Sequence, residues 1–504
     1  MKTVNMTHDN RSVTKVLVLN PPFLDKFSRP QRSPAVTKSG TLYFPIWLAF
    51  CVGVLEDAGH EVRFIDAPAS DTSLDSVLRE AESFAPSLIV MDTSTPSIEN
   101  DIRVAGELKK VVPSSFVVLV GTHVSAVPEE TLRLGASVDA VARREYEYTV
   151  RELADLIAVS GMEDKPTGED LKGIAGLSVK TDGDIVHNGE RPFIEDLDAL
   201  PWVSKVYKKH LDIRNYFNPN ALFPMVTLIT SRGCPFKCSF CVYPQTFTGH
   251  KYRHRSIADV MDEIEYVTRE IPEAKSIFLE DDTLTVNKTR CGEFADALVS
   301  RGISIPWVAN SRVGLDLETM QKMKASGCLQ LCVGFESGDN DVLKTMRKGI
   351  TTERMFQFRN DARKAGIVIH GCFMVGFPGE TPEQMNKTIA LSKKLDPDTV
   401  QFYPVMVYPG THAYEQYRAE GWITAENYRA WLTEDGLHNC VIQNEYCDSK
   451  ELVRICDSAR RQFYLRPRYL IYKAFRTLRH PSEFVRTAKA ARVFLKHLIF
   501  GSHV

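Results

Sequence analysis

Residues 231–241, SRGCPFKCSFC, hold Cys234, Cys238 and Cys241 in the spacing CxxxCxxC, with no fourth cysteine close by. A structural zinc site takes four protein ligands, and so does an ordinary iron–sulfur cluster. Three thiolates can hold three irons of a 4Fe–4S cluster and leave the fourth iron open to a ligand that is not protein. The competing readings are a zinc knuckle lacking one ligand and three unrelated buried cysteines. The spacing, on a loop that follows a strand, weighs against both. The other eight of the eleven cysteines are scattered; Cys328, Cys332 and Cys372 read as small buried hydrophobes on strands.

The trio lies just past MVTLIT, the first of six strand patterns between residues 225 and 420. The others are SIFLE, PWVANS, LQLCVGFES, VIHGCFMVGFP and TVQFYPVMVYP, followed by helical patterns at 256–270, 288–301, 317–326, 352–365, 382–395 and 412–420. Six βα units in a row predict an open, partial TIM-type barrel, with its chemistry on loops at the C-terminal ends of strands. Ahead of it KVLVLN, EVRFIDAP, SLIVMDTS, FVVLVGTH and AVARRE alternate with helical stretches up to residue 160. That alternation predicts a doubly wound α/β domain. Residues 161–224 read as an irregular linker with a β-hairpin at 176–192 that turns at Asp182 and Gly183. Residues 421–504 read as a helical, basic C-terminal region.

Set in this frame, CxxxCxxC resembles the motif of the radical S-adenosylmethionine (SAM) superfamily. The resemblance implies that the free iron binds the amino and carboxylate groups of SAM. It also implies that the reduced cluster cleaves SAM to methionine and a 5′-deoxyadenosyl radical, which takes a hydrogen atom from substrate. Phe240 matches the aromatic usual before the third cysteine. By the same resemblance Glu280, Asp281 or Asp282, in FLEDDTLTVNK, lies near the SAM amino group, where a carboxylate suits an ammonium. Read alone, Asp282 could equally cap the next helix. Asn310, Ser311 and Arg312 at the third strand end, and Glu336 and Ser337 at the fourth, resemble positions that bind the SAM ribose or carboxylate. Gly376 and Pro378 in VGFPGET resemble the turn on the adenine side; a plain turn is the alternative there and at YPGT, 408–411.

LNPP (19–22), residues 43–68, VGTHVSAVPEE and RREYEYTVREL make the first domain similar to the cobalamin-binding subclass of that superfamily. Crevices at the carboxyl ends of parallel strands are where such sheets bind large cofactors. The implied contacts are Asn20, Thr93, Ser94, Thr95, Gly121, Thr122, His123 and Glu145. Enzymes that ligate cobalt from below use an Asp-x-His-x-x-Gly loop after the first strand. Here that loop reads NPPFLDKFSRPQ, without histidine, so no imidazole from it is expected below the cobalt. A vestigial domain that holds no cobalamin is the alternative. His123 lies in a different loop, where a lone histidine is more often a local hydrogen-bonding partner.

CVYPQTFTGHKYRHRS, VGFESGD and FYLRPRYLIYKAFR are similar to the hopanoid-cyclitol-ether and calditol synthase branch, which remodels a sugar on a lipid head group. Three functions follow: radical carbon–carbon bond formation or ring remodelling on a lipid-linked sugar or polyol, cobalamin-dependent methylation of an unactivated carbon, and a non-enzymatic sensor. Methylases and an anaerobic cyclase share the architecture. The complete set of strand-end motifs argues against the sensor. The resemblance also implies a small-molecule or lipid-linked substrate and a low-potential electron donor of flavodoxin or ferredoxin type.

The 504 residues suggest about three domains, and 43% hydrophobic with 25% charged residues suits large packed cores. A net charge of −2 excludes a whole-molecule polyanion binder, so no nucleic-acid partner is expected. Scattered cysteines fit a reducing cytoplasm. The first fifteen residues lack the apolar core of a secretory signal, and no run is long and apolar enough to span a bilayer. From Arg460 to Val504, eleven Lys/Arg stand against one acid, Glu483. Helices expected at about 468–479 and 482–500 interleave those charges with apolar residues, which reads as peripheral contact with the inner membrane face.

Overall fold

Leu88–Asp92 and Phe116–Val120 are buried along their whole length, as strands covered on both faces must be. The structure, a computed structural model, describes residues 13–160, 166–181 and 184–479. The first sheet runs in the order Glu61–Asp66, Lys15–Asn20, Leu88–Asp92, Phe116–Val120, Ala140–Ala142, all parallel. The hairpin strands Leu177–Thr181 and Asp184–His187 then pair antiparallel onto the fifth strand. The hairpin is therefore the edge of this sheet rather than part of a free linker; its turn, at Asp182 and Gly183, lies outside the described residues. Residues 161–224 also contain a helix, Val203–His210, whose apolar face docks beside Ile46–Asp57.

The second sheet is the expected open barrel. Met225–Leu228, Ser276–Leu279, Trp307–Ser311, Cys328–Glu336, Val368–Val375 and Thr399–Pro404 pair in sequence order, all parallel. Local signals set the intervening helices. Ser256 caps Ile257–Glu270 through the Asp259 amide. Thr381 and Gln384 form a capping box ahead of Pro382–Leu395, with proline at the first helical position. Observed helix ends lie within two residues of those read from the sequence. Among the described residues the C-terminal region is α-helical at Ser449–Tyr464, which packs on the sixth barrel strand, and at Pro467–Arg479. Residues 421–448 instead run back to the first domain: Gly436 accepts from the Val36 amide at 2.9 Å, and Leu432 packs with Phe27 and Ala35. The expected helix at 482–500 lies outside the described residues.

Ile46–Asp57 is apolar all round, and ten of its twelve residues are buried. Such a helix belongs inside a protein rather than on its surface, and it fills the space between sheet and barrel. Beside it lies a buried charge cluster that joins the two domains. Glu145 and Glu147 follow the fifth strand of the first sheet. Arg232 and Arg253 come from the short ribbon pairing Ser231–Arg232 with Arg253–His254 in the barrel. Arg253 grips Glu145 with both nitrogens at 2.8 Å, while Arg232 stands 2.7 Å from Glu147 and 3.6 Å from Glu145. All four side chains are at most 2% exposed. The Arg232 guanidinium lies over Phe50 and Trp47, at 4.5 and 5.0 Å from the ring centroids.

Breaking a buried pair leaves its partner charged and desolvated, at a cost of about 3–5 kcal/mol. Arg253→Met is therefore expected to lower stability by that order in denaturant unfolding, and adding Glu145→Gln to recover part of the loss. A loss below about 1 kcal/mol, the range of exposed pairs, would mean that the cluster does not hold the domains together.

Candidate active site between two sheet edges

The cysteine loop is pinned by the end of the neighbouring strand. Asp281 accepts from the Thr230 amide and hydroxyl, both at 2.6 Å, and from the Ser231 amide and hydroxyl at 3.3 and 2.8 Å. Asp282 accepts from the Gly233 amide at 2.8 Å and the Thr248 hydroxyl at 2.7 Å. The helix that follows is capped by Asn287, not Asp282. Gly233 has φ +82, and a Cβ there would stand 2.1 Å from the Lys251 carbonyl oxygen, so the turn into Cys234 admits only glycine. Gln245 donates to the carbonyls of Cys238, Ser239 and Cys241 at 3.2, 3.2 and 2.8 Å. Asp281 thus spends both oxygens on the loop, whereas Asp282 spends Oδ2 there and keeps Oδ1 uncommitted.

The three thiols are unpaired. Burial pushes the Cys234 and Cys241 thiols up, so a metal must displace their protons to bind. Arg312 Nη1 donates to Cys238 Sγ at 3.7 Å, and Thr283 Oγ1, whose hydrogen goes to the Asp282 carbonyl, is 3.8 Å from Cys234 Sγ. No three His, Cys, Asp or Glu side chains among the described residues converge on one ion. A cubane asks for something different, because each thiolate takes its own iron. Three thiols on one loop, with a guanidinium donor beside one sulfur, fit that group. Of the remaining cysteines, Cys328 is buried, whereas Cys332 and Cys372 are only half-buried on adjacent barrel strands.

Around this loop the strand ends present buried polar atoms without well-aligned partners: Glu280 Oε2 and Asn310 Nδ2, whose side chains lie against each other, and Arg312 Nη2 and Glu336 Oε2. Native structures rarely leave such atoms unsatisfied. A zwitterion carrying hydroxyls would satisfy all four, which is the donor and acceptor pattern of SAM. The other oxygens of the two glutamates are already held. Arg32 donates to Glu280 Oε1 at 2.6 Å and Lys348 to Glu336 Oε1 at 2.7 Å. Burial pushes the Glu280 carboxyl up against the pull of Arg32. Glu336 sits at a bulge with φ +66, a costly conformation for a non-glycine residue. At Gly334 a Cβ would stand 2.2 Å from Glu336 Oε1 and 2.8 Å from Lys348 Nζ, so glycine makes room for the pair.

Other expected residues serve the frame. Ser311 donates to the Arg312 carbonyl at 3.1 Å, and Ser337 meets Thr388 at 3.2 Å and the Asp339 amide. Gly376, with φ +93, donates to Glu380 Oε2 at 2.7 Å, and half-buried Pro378 ends that turn. Phe377 meets the ring of Phe240 edge-on at 5.8 Å, which brings the fifth strand end against the cysteine loop.

Across the crevice lies the C-terminal edge of the first sheet. Asn20 is held between Asp66 at 2.7 Å and Arg29 at 2.8 Å. Thr93 donates to the Val120 carbonyl at 2.7 Å, and Ser94 meets Ser97 at 2.8 Å. Glu145 is consumed by Arg253. Those four are committed within the protein. Gly121 has φ +115 and no room for a Cβ, which would stand 2.5 Å from the Thr93 carbonyl oxygen. Thr122 and His123 follow it, and Thr95 Oγ1 lies 3.1 Å from His123 Nδ1. Burial lowers the His123 pKa to about 3, so the ring is neutral; its Nε2 and the nearby Tyr146 hydroxyl are buried without partners. A glycine turn, small hydroxyls and two open polar atoms at this edge fit a large polar cofactor such as cobalamin.

Sequence reasoning missed Arg32, Lys348 and Asp92. Arg32 crosses between the domains, and its guanidinium lies 5.4 Å from the centroid of the Tyr243 ring. Asp92, at the third strand end, is pushed up to about 7 by burial. The only signal for Arg32 was its place in the long loop after the first strand, and for Lys348 its place twelve residues past Glu336.

A family model for the Radical SAM superfamily matches residues 228–392, and one for the B12 binding domain matches residues 32–154. Over 464 residues the chain is 32% identical to an uncharacterized methyltransferase of Pyrococcus horikoshii, covering 92% of this chain and 95% of that protein. It is 26% identical over 379 residues to an anaerobic magnesium-protoporphyrin IX monomethyl ester cyclase of Rubrivivax gelatinosus, covering 74% of this chain and 66% of that protein. The radical S-adenosylmethionine methyltransferase TsrM from Kitasatospora setae, solved with cobalamin and a 4Fe–4S cluster bound, superposes with a TM-score of 0.64 at 19% identity. It covers 90% of this chain and 85% of its own, and the likeness is one of fold.

Replacing Cys234, Cys238 or Cys241 by Ala is expected to abolish iron loading on anaerobic reconstitution, whereas Cys332→Ser retains it. A full iron complement in Cys234→Ala would remove the trio from the cluster. Glu280→Gln and Glu336→Gln each remove one charged hydrogen bond and should weaken SAM binding to the reconstituted protein by about 1.5–3 kcal/mol. Calorimetry showing unchanged affinity in both would assign these residues to packing alone.

Proposed function

The chain belongs to the radical SAM superfamily, with a B12-binding domain ahead of the barrel, and from that premise we propose that it methylates an unactivated carbon. The observation that carries the proposal is the buried charge cluster. It clamps the cysteine loop against the first sheet, so that a methyl carrier at one sheet edge would face SAM at the other. The similarity to the Pyrococcus horikoshii methyltransferase over nearly the whole chain supports the same reading.

The roles of the side chains follow from their surroundings. Cys234, Cys238 and Cys241 would hold the cluster, and Thr95, Gly121, Thr122 and His123 would hold the corrinoid. Bound there, the cluster supplies the electron that cleaves SAM, and cobalamin supplies a carrier for the methyl group. Arg32 and Lys348 each occupy one oxygen of Glu280 and Glu336, which fixes the rotamers and leaves one oxygen free to orient SAM. Arg312 presents a nitrogen to a carboxylate while stacking on Phe236, 3.8 Å from the ring centroid. Trp47, Phe50 and Phe247 exclude water behind the loop. The loop after the first strand contains no histidine, and the neutral His123 lies on the side of the fourth strand, so that loop would offer no imidazole to a bound corrinoid.

A second reading is radical carbon–carbon bond formation or ring remodelling on a lipid-linked sugar or polyol, as in the hopanoid-cyclitol-ether and calditol branch. The similarity to the anaerobic cyclase supports it. A lipid-linked substrate suits either reading, because the helix Pro467–Arg479 leaves Leu470 and Ile471 more than half exposed next to Arg468, as a helix lying against an anionic bilayer would. Among the described residues no helix is long and apolar enough to cross a membrane.

The test uses SAM with a deuterated methyl group, the reconstituted enzyme, and lipid and water-soluble extracts of its own cells as separate substrate pools. Methyl transfer predicts a product heavier by one labelled methyl group. A product with no label and no gained carbon would replace it by the second reading. Label confined to the water-soluble pool would remove the lipid substrate and the membrane contact together.

A further inference from the structure

The loop that leaves the first strand is tied to both sides of the crevice. The chain passes from Lys15–Asn20 to Glu61–Asp66 on one flank and then to Leu88–Asp92 on the other. The loops after Lys15–Asn20 and Leu88–Asp92 therefore diverge, and a doubly wound sheet binds its ligand in the crevice between such loops. Arg29, fully buried, spans the divergence. It donates to the Asn20 side chain at 2.8 Å and the Pro21 carbonyl at 2.6 Å on one side. On the other it donates to Asp101 at 2.5 Å and the Ser97 hydroxyl oxygen at 3.3 Å.

The Ser28 amide donates to the Ala35 carbonyl at 3.2 Å, which pinches residues 29–34 into a small turn. Arg29 fastens that turn to the first sheet, and Arg32 fastens it to the barrel. Arg32 Nη1 donates to Glu280 Oε1 at 2.6 Å and Nη2 to the Asp281 carbonyl at 2.9 Å. Tyr243, on the helix after the cysteine loop, donates to the Pro30 carbonyl. Among the described residues no other side chain of the first domain hydrogen-bonds a strand end of the barrel. Apolar packing adds little here, because Phe27, Ala35 and Leu432 form a small cluster apart from the two main cores. A segment with few buried apolar contacts opens at less cost than a core. The turn thus has two arrangements, tethered to Glu280 or released from it.

We propose that this turn couples the two cofactor sites, so that cobalamin on the first sheet and SAM on the barrel each tighten the binding of the other, with Arg32 as the positioning residue. The inference rests on the assignment of cobalamin to the first sheet edge and of SAM to Glu280. A corrinoid in the crevice would pack against the loop that Arg29 anchors and favour the tethered arrangement. In that arrangement Arg32 holds Oε1 of Glu280 and leaves Oε2 open to a cation. In the released one the carboxylate loses its fixed rotamer. Each ligand then binds the tethered arrangement better, and a difference in affinity is what shifts a population. Linkage makes the effect reciprocal, with one factor for both ligands.

The test measures SAM binding by calorimetry, with and without hydroxocobalamin. It uses the full-length protein with its cluster reconstituted and left oxidised, so that SAM binds without being cleaved. Cobalamin is expected to tighten SAM binding by wild type about fivefold or more, and saturating SAM to tighten cobalamin binding by the same factor. In Arg32→Gln the factor should fall to about one, with iron loading unchanged. Arg32→Lys, which keeps the charge but not the two-pronged contact, should keep part of it. Equal SAM affinity in cobalamin-free and cobalamin-loaded wild type would overturn the proposal while leaving both sites assigned. So would full coupling in Arg32→Gln, or a loss of iron loading in that variant, which would mark Arg32 as structural. A wild-type protein that takes up no cobalamin would refute the assignment of the first sheet edge, and the coupling with it.

Discussion

Everything at the centre of this protein depends on two glutamates and two arginines that are buried together. Glu145 and Glu147 leave the first sheet, Arg232 and Arg253 leave the barrel, and neither pair could stay desolvated alone. Arg232 lies two residues before Cys234, so the clamp sets where the cysteine loop begins. A hydrophobic contact of the same area would leave room to slide. Bidentate geometry at Arg253, with Arg232 lying over two aromatic rings, fixes both distance and angle. The consequence is that the C-terminal ends of two separate parallel sheets meet at one crevice.

The crevice then divides its polar groups into two kinds. Asp281, Asn20 and Ser337 are bonded to neighbouring backbone and side chains, and they shape the walls. Glu280, Asn310, Arg312, Glu336, His123 and Tyr146 each keep a buried atom open. Taken together with position at a strand end, that division marks the candidates for ligand contact. It also accounts for Arg32 and Lys348, each of which holds half of a carboxylate whose other half is free.

The architecture was legible because it rests on local periodicity. Fully apolar runs such as FVVLV marked buried parallel strands, Thr381 with Pro382 marked a helix start, and the cysteine spacing marked the loop. What stayed hidden depends on pairing at long range. Glu145 and Glu280 look alike in sequence, each a carboxylate at a strand end. Only Arg253, 108 residues away from Glu145, turns the first into a clamp, while Arg32, 248 residues away, leaves the second half open. The hairpin was visible, but its pairing with the fifth strand was not, because an edge strand carries no mark of its neighbour. The half-exposed Cys332 and Cys372 read as core for the same reason: strand alternation tells which face a residue is on, not whether that face opens on a lumen.

The central claim is that the cluster site and the corrinoid site face each other across one clamped crevice. Pulsed electron paramagnetic resonance on the reconstituted protein, carrying Co(II) cobalamin and the reduced cluster together, measures this directly. The account predicts a resolved dipolar interaction between the two centres in the wild-type protein, and its broadening or loss when Arg253 is replaced by Met. Two magnetically isolated centres in a wild-type protein loaded with both cofactors would contradict it.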